Sequence, residues 1–100
     1  MAEEFKVIGS DGNELIPVYA THPGEVLEME LEGRGIKKSA FAVQNGIYPS
    51  HLSDLLSGKR NMNAAIALKL EKALGIEAGF WLRMQNSYDL FEEQRKMQVA

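Results

Sequence analysis

The apolar positions of this chain fall into five helix-like stripes, preceded by a shorter stretch with a different rhythm. Leu27 and Leu31, with Met29 or Glu28 between them, mark a first helix that opens at His22-Pro23-Gly24 and runs to about Glu32. Pro23 suits a first turn, where its missing N–H is not needed, and Glu25 suits the positive end of the helix. Gly33-Arg34-Gly35 ends it. A short second helix over 39–44 turns Phe41 and Ala42 inward. Gly46 then supplies the positive φ of a sharp turn, and Ile47 drops back into the core. A third helix begins at Pro49 and sets Leu52, Leu55 and Leu56 on one stripe, leaving Ser50, His51 and Asp54 on the opposite face. Gly58 stands where a left-handed terminator belongs.

Asn63 is placed to cap a fourth helix over 64–74, with Ile66, Ala67, Leu70, Ala73 and Leu74 facing inward and Gly75 stopping it. A last helix runs from about Ala78 into the nineties and carries Phe80, Trp81, Met84, Tyr88 and Phe91 at helical spacings. Such an aromatic and methionine stripe reads as core or as the seam of a homodimer, not as a cofactor box. Ahead of all this, Phe5-Lys6-Val7-Ile8 and Glu14-Leu15-Ile16-Pro17-Val18-Tyr19 flank Gly9-Ser10-Asp11-Gly12-Asn13, the pattern of a β-hairpin. Pro17 cannot donate to a ladder and points to an edge strand. The expected organisation is therefore a hairpin arm over 1–21, a helical domain over 22–92, and a polar tail over 93–100 that frays.

Two of these helices together suggest a task. The second and third, joined by a tight Gly-containing turn, form a helix-turn-helix pattern, and the third offers small polar groups outward as a major-groove reader does. Charge agrees once it is divided along the chain. The net charge is −3, which looks wrong for a nucleic-acid binder. Residues 1–32, however, carry one lysine against eight acids, whereas residues 33–72 carry seven Lys/Arg against only Asp54 and Glu71. Phosphate attraction follows the local field and not the overall balance. On this reading Tyr48, Ser50 and His51 reach base edges, with Asp54 one turn behind. Lys37, Lys38, Ser39, Ser53, Lys59, Arg60 and Asn61 contact phosphates. A cation pair such as Lys59 and Arg60 can also merely complement a helix C-terminus, but beside Lys37 and Lys38 phosphate contact is the better reading.

Composition excludes several other roles. The chain of 100 residues has no cysteine, so neither disulfides nor thiolate metal sites are available, and a reducing bacterial cytoplasm fits. It has no run of 18 apolar residues and no basic-then-apolar leader. Its only histidines are His22 and His51, without a His-Glu-x-x-His motif, and Gly33-Arg34-Gly35 lacks the ending of a phosphate loop. His22 has no partners at metal spacing and reads as a turn residue beside a helix cap. The serines lack a base. A binder without cofactor or metal is expected, not an enzyme.

The run GIKKSAFAVQNGIYPSHLSDLLSGKRNMN resembles the helix-turn-helix of lambda-repressor-like, XRE-type DNA-binding domains. With HPGEVL ahead of it and ALKLEKAL, FWLRMQ and YDL behind, the stretch from about 22 to 91 looks more narrowly like a HigA-type antitoxin. The resemblance implies a mainly α, five-helix lambda-repressor-like domain, here with a short N-terminal β-hairpin that the resemblance does not cover. It also implies repression of its own operon and a partner toxin of the RelE-like, mRNA-cleaving class. Such toxins act on RNA and tend to be basic, so Glu3, Glu4, Asp11 and Glu14 in the acidic arm are the candidate toxin contacts. Independently of the resemblance, a few base contacts bind one copy weakly, so a homodimer on a palindromic operator is expected, joined through the aromatic last helix or the hairpin. Three positions depart from the family pattern. Lys38 stands where many members carry Gln, Asn45 where a buried Leu is common, and Tyr48 where Ser or Thr caps the recognition helix. Two rivals stay open: a stand-alone repressor without a toxin, and a protein-interaction module that has lost DNA binding.

Overall fold

A computed structural model describes residues 21–99, and among them the chain is helical with no strand. Five helices follow in order: α1 (Pro23–Gly33), α2 (Lys38–Gln44), α3 (Pro49–Leu56), α4 (Ala64–Leu74) and α5 (Ala78–Val99). α1 packs on α3 and α5, α2 on α3, and α4 on α5. The hairpin expected before Thr21, and with it Glu3, Glu4, Asp11 and Glu14, lies outside the described residues. The stretch expected as a polar tail from 93 onward instead continues α5, aided by Arg95–Glu92 and Lys96–Glu93 pairs one turn apart.

Sequence punctuation accounts for most of these boundaries. Pro23 and Pro49 each open a helix. His22 caps α1, its Nδ1 accepting from the Gly24 N–H at 2.9 Å, and Asn63 caps α4, its Oδ1 accepting from the Ile66 N–H at 2.9 Å. The core joins Leu27 and Leu31 of α1, Phe41 and Ala42 of α2, Leu52 and Leu55 of α3, Ala67, Leu70 and Leu74 of α4, and Trp81 of α5. Two residues differ from their expected places. Ala73 is exposed, because the α4 stripe narrows to Ala67, Leu70 and Leu74. Trp81 is wholly enclosed by its own chain, so of the five residues expected at a dimer seam it offers no surface. It pins α5 into the core instead.

One contact controls how α1 meets α3. A Cβ built on Gly24 would lie 1.9 Å from the Leu55 carbonyl oxygen and 2.8 Å from its carbon. The backbones touch there, and no side chain fits between them. Gly24→Ala is expected to destabilise the fold by about 1–3 kcal/mol or more through forced separation of the two helices. Gly33→Ala at the far end of α1, where a Cβ meets nothing within 4 Å, serves as the control and is expected to be neutral or mildly stabilising. Equal denaturation midpoints for the two variants would contradict this packing.

His22 has a second role beside capping. It is 3 % exposed and meets the Tyr88 ring of α5 edge-on at 5.0 Å. Burial holds its imidazole below the ordinary value, and the charges of Glu25 and Asp89, with the nearby Asn61 side chain, oppose that only in part. With Nδ1 accepting from a backbone N–H, the ring is neutral and protonated on Nε2. A group whose folded pKa is depressed binds its proton more readily in the unfolded chain. Its contribution to stability is therefore whole above about pH 6.5 and is lost as pH falls through the lower folded value. Thermal unfolding of wild type and His22→Asn, which keeps a cap acceptor without a titrating ring, should diverge below that pH, with wild type losing more. Parallel pH profiles would remove the effect.

Candidate nucleic-acid interface

The helix-turn-helix is assembled from two closures of the same kind. At the end of α2, Gly46 has φ 68°, and the Ile47 and Gly46 N–H groups donate to the Ala42 and Val43 carbonyls at 2.9 and 3.3 Å. At the end of α3, Gly58 has φ 83°, and Lys59 and Gly58 donate to Asp54 and Leu55 at 2.8 and 3.2 Å. Both are Schellman closures, which satisfy orphan carbonyls and require a left-handed residue. The Asp54 carbonyl also accepts from the Arg60 N–H and the Ser57 hydroxyl at 3.2 Å each, so the basic loop begins clamped to the end of α3. Asn45, where a buried Leu was the expected family residue, instead donates its amide to the Phe41 carbonyl at 2.8 Å.

Leu52 and Leu55 are buried beneath α3, and Leu56 is half-buried. On the outer side Ser50 is exposed, while His51 and Asp54 are half-buried. Tyr48, 71 % exposed, has no side-chain cap bond and stands edge-on to His51 with ring centres 5.1 Å apart. Val43 on α2 is exposed and lines the same shallow apolar cleft as Tyr48, a residue that sequence reasoning missed because its α2 neighbours Phe41 and Ala42 are core. The fold therefore brings Tyr48, Ser50 and His51 together at the start of α3.

The residues expected to face phosphates divide into two groups. Lys59, Arg60 and Asn61 are all exposed on the loop that follows α3. Lys38, Ser39 and Ser53 line a cleft of about 420 Å³ between α2 and α3, together with Ser57 and Glu28. Lys37 precedes them, exposed at the α2 N-cap. Glu28 changes the chemistry of that cleft. Lys38 Nζ lies 2.7 Å from Glu28 and 3.8 Å from Glu32, both on α1. The bond to Glu28 raises the Lys38 pKa, so the ammonium is fully charged but already partnered. Sequence reasoning did not find this pair, because ten residues and a turn separate its members.

Two further ties hold the turn and the loop. Lys69 of α4 donates from Nζ to the Gly46 carbonyl at 2.8 Å, bracing the helix-turn-helix turn. Gln85 of α5 accepts from the Met62 N–H at 2.6 Å and donates to Asp89 Oδ1 at 2.9 Å. Neither has a local sequence signature. No group of three or more His, Asp or Glu among the described residues is arranged to hold a metal, and no helix among them is long and apolar enough to cross a membrane.

A short helix with its polar start presented outward, backed by leucines, preceded by a braced turn and followed by a basic loop, defines a helix-turn-helix DNA-binding domain. No protein-family model matches the chain. It is 37 % identical over 76 residues to the antitoxin HigA-1 of Vibrio cholerae, covering 75 % of this chain and 71 % of that protein. Among solved structures, an addiction module antidote protein of the HigA family from Coxiella burnetii superposes with TM-score 0.74 at 31 % identity, covering 80 % of this chain and 88 % of that one. The Pseudomonas aeruginosa antitoxin HigA, solved with higBA promoter DNA, superposes with TM-score 0.72 at 26 % identity, covering 81 % and 91 %. The chain belongs to the HigA family of helix-turn-helix antitoxins and regulators.

Proposed function

We propose that this chain is the DNA-binding antitoxin of a type II toxin–antitoxin pair, which represses its own operon and neutralises a RelE-like, mRNA-cleaving toxin in the bacterial cytoplasm. The observation that carries the DNA half is the exposed start of α3, with Tyr48, Ser50 and His51, followed by the exposed Lys59-Arg60-Asn61 loop. Ser50 is a permissive reader that donates or accepts, and His51 donates to guanine N7 or O6. Tyr48 and Val43 present apolar surface suited to a thymine methyl. Asp54 accepts from cytosine N4 or repels phosphates and so sets register. Lys37, Lys59 and Arg60 supply the salt-sensitive part, Asn61, Ser39 and Ser53 add neutral phosphate bonds, and Lys38 joins when a phosphate displaces Glu28. Each base contact is worth about 1–3 kcal/mol, so one copy binds weakly. Two copies on a two-fold axis read a palindrome with half-site centres about 34–36 Å apart, or a multiple of that. Phe80, Met84, Tyr88 and Phe91 on α5 are the remaining candidates for the homodimer seam.

The toxin half rests on the family and on charge: residues 1–32 carry one lysine against eight acids, a charge balance suited to a basic, RNA-directed partner. Charge reversal of Glu3, Glu4, Asp11 and Glu14 should weaken capture of the protein encoded by the adjacent reading frame. Undiminished capture rejects that surface.

A fluorescence titration with the chain's own promoter DNA tests the DNA half. Binding should weaken with salt, and Ser50→Ala or His51→Ala should each cost about 1–3 kcal/mol and relax specificity. Glu28→Gln should tighten binding and steepen the salt slope by about 1, because it releases Lys38 to phosphate. The Lys38–Glu28 pair also favours the rival reading of an interaction module without DNA binding. No binding at low salt would decide for that rival.

A further inference from the structure

The loop between α3 and α4 holds the exposed cations Lys59 and Arg60, yet its far end is fixed by a residue of α5 that stands 23 positions further along the chain. The near end is closed on α3 by the bonds to the Asp54 and Leu55 carbonyls. At the far end Met62 is buried at 4 % exposure, and its amide is a buried donor. Gln85, 6 % exposed, brings its Oε1 to that amide at 2.6 Å. A glutamine amide could face either way. Its Nε2 is committed to Asp89 Oδ1 at 2.9 Å, one helical turn along α5, so the oxygen is the end left for Met62. Around this tie, the Asn61 side chain lies beside His22, and His22 meets Tyr88 of α5.

We propose that Gln85 is a positioning residue for DNA binding: from α5 it sets where the Lys59-Arg60 pair meets the phosphate backbone. This rests on the DNA-binding reading above. Gln85 itself touches no DNA, being enclosed between α5 and the loop. Two ends fix the loop, and only the α3 end is local. Without the α5 end, the cations stay charged and exposed but lose a common position, and the ordering cost falls on binding. The same tie makes the loop responsive to α5, so whatever seats on or shifts α5 also shifts the phosphate grip.

The test is a promoter-DNA titration across salt concentrations with four proteins: wild type, Gln85→Met, Lys59→Ala/Arg60→Ala, and the triple combination. Met keeps length and helix preference but cannot accept from the Met62 amide. Gln85→Met should weaken binding by about tenfold and flatten the salt slope by about 1, the signature of lost phosphate contact. It should have no further effect when Lys59 and Arg60 are already alanine. A merely structural role would lower affinity equally in both backgrounds, and that result overturns the proposal. A second variant, Gln85→Glu with Asp89→Asn, exchanges donor and acceptor while keeping the net charge and an oxygen for the Met62 amide. It should retain wild-type affinity and slope, with a slow-exchanging Met62 amide. A folded swap variant that protects that amide yet binds as poorly as Gln85→Met also overturns it. Failure of wild type to bind at low salt instead removes the functional reading on which the proposal rests.

Discussion

The position of the recognition helix depends on a place where two backbones touch. α3 has eight residues, too few to be stable alone, since isolated helices shorter than about 12–15 residues are marginal in water. Leu52 and Leu55 hold it by burial, but burial alone does not set a helix's angle. The Gly24–Leu55 contact does, because the start of α1 can lie against the end of α3 only without a Cβ. Everything at the DNA-facing surface is referred to that contact. The Leu55 carbonyl accepts from Gly58, Asp54 accepts from Lys59, and the basic loop starts there. On the other side, His22 caps α1 and touches Tyr88, which refers α5 to the same point.

What was legible in the chain was what short-range chemistry dictates. Pro23, Pro49, Asn63, Gly46, Gly58 and Gly75 mark their helix boundaries with side chains or φ preferences that act within four residues, and all stand where those marks put them. The leucine stripe of α3 follows from periodicity alone. The misplacements share a cause, namely that stripe membership does not say which helix lies opposite. Ala73 stands at helical spacing from Leu70, yet it is exposed. Trp81 belongs to an aromatic stripe, but the void beneath α5 takes its whole ring. Gly24 reads as part of an ordinary helix start, since nothing nearby in sequence announces Leu55. Glu28–Lys38, Lys69–Gly46 and Gln85–Met62 were invisible for the same reason.

The charge pattern shows how an acidic chain can carry a locally basic stretch. The positive residues gather between 33 and 72, but they are not equivalent. Lys59 and Arg60 are exposed with their backbone, not their charge, tied to α3. Lys38 sits in a half-open cleft beside two glutamates of α1. An exposed pair of this kind adds little to stability. Its larger consequence is electrostatic, for the Lys38 ammonium already has a carboxylate partner. The cleft lined by Ser39, Ser53 and Ser57 thus holds both signs of charge, Lys38 and Glu28.

The domain is joined in two chemically different ways. α1, α2 and α3 meet through leucines, a phenylalanine and a backbone contact, none of which titrates. α5 meets α1 and the α3–α4 loop through polar and titratable groups, His22 against Tyr88 and Gln85 on the Met62 amide, with Asp89 holding Gln85. Charging His22 removes the Gly24 cap bond, because a protonated Nδ1 cannot accept, and so acts on the start of α1 as well as on the contact with Tyr88. Met62 is tied to the same helix through Gln85, so α5 bears on both the start of α1 and the end of the basic loop.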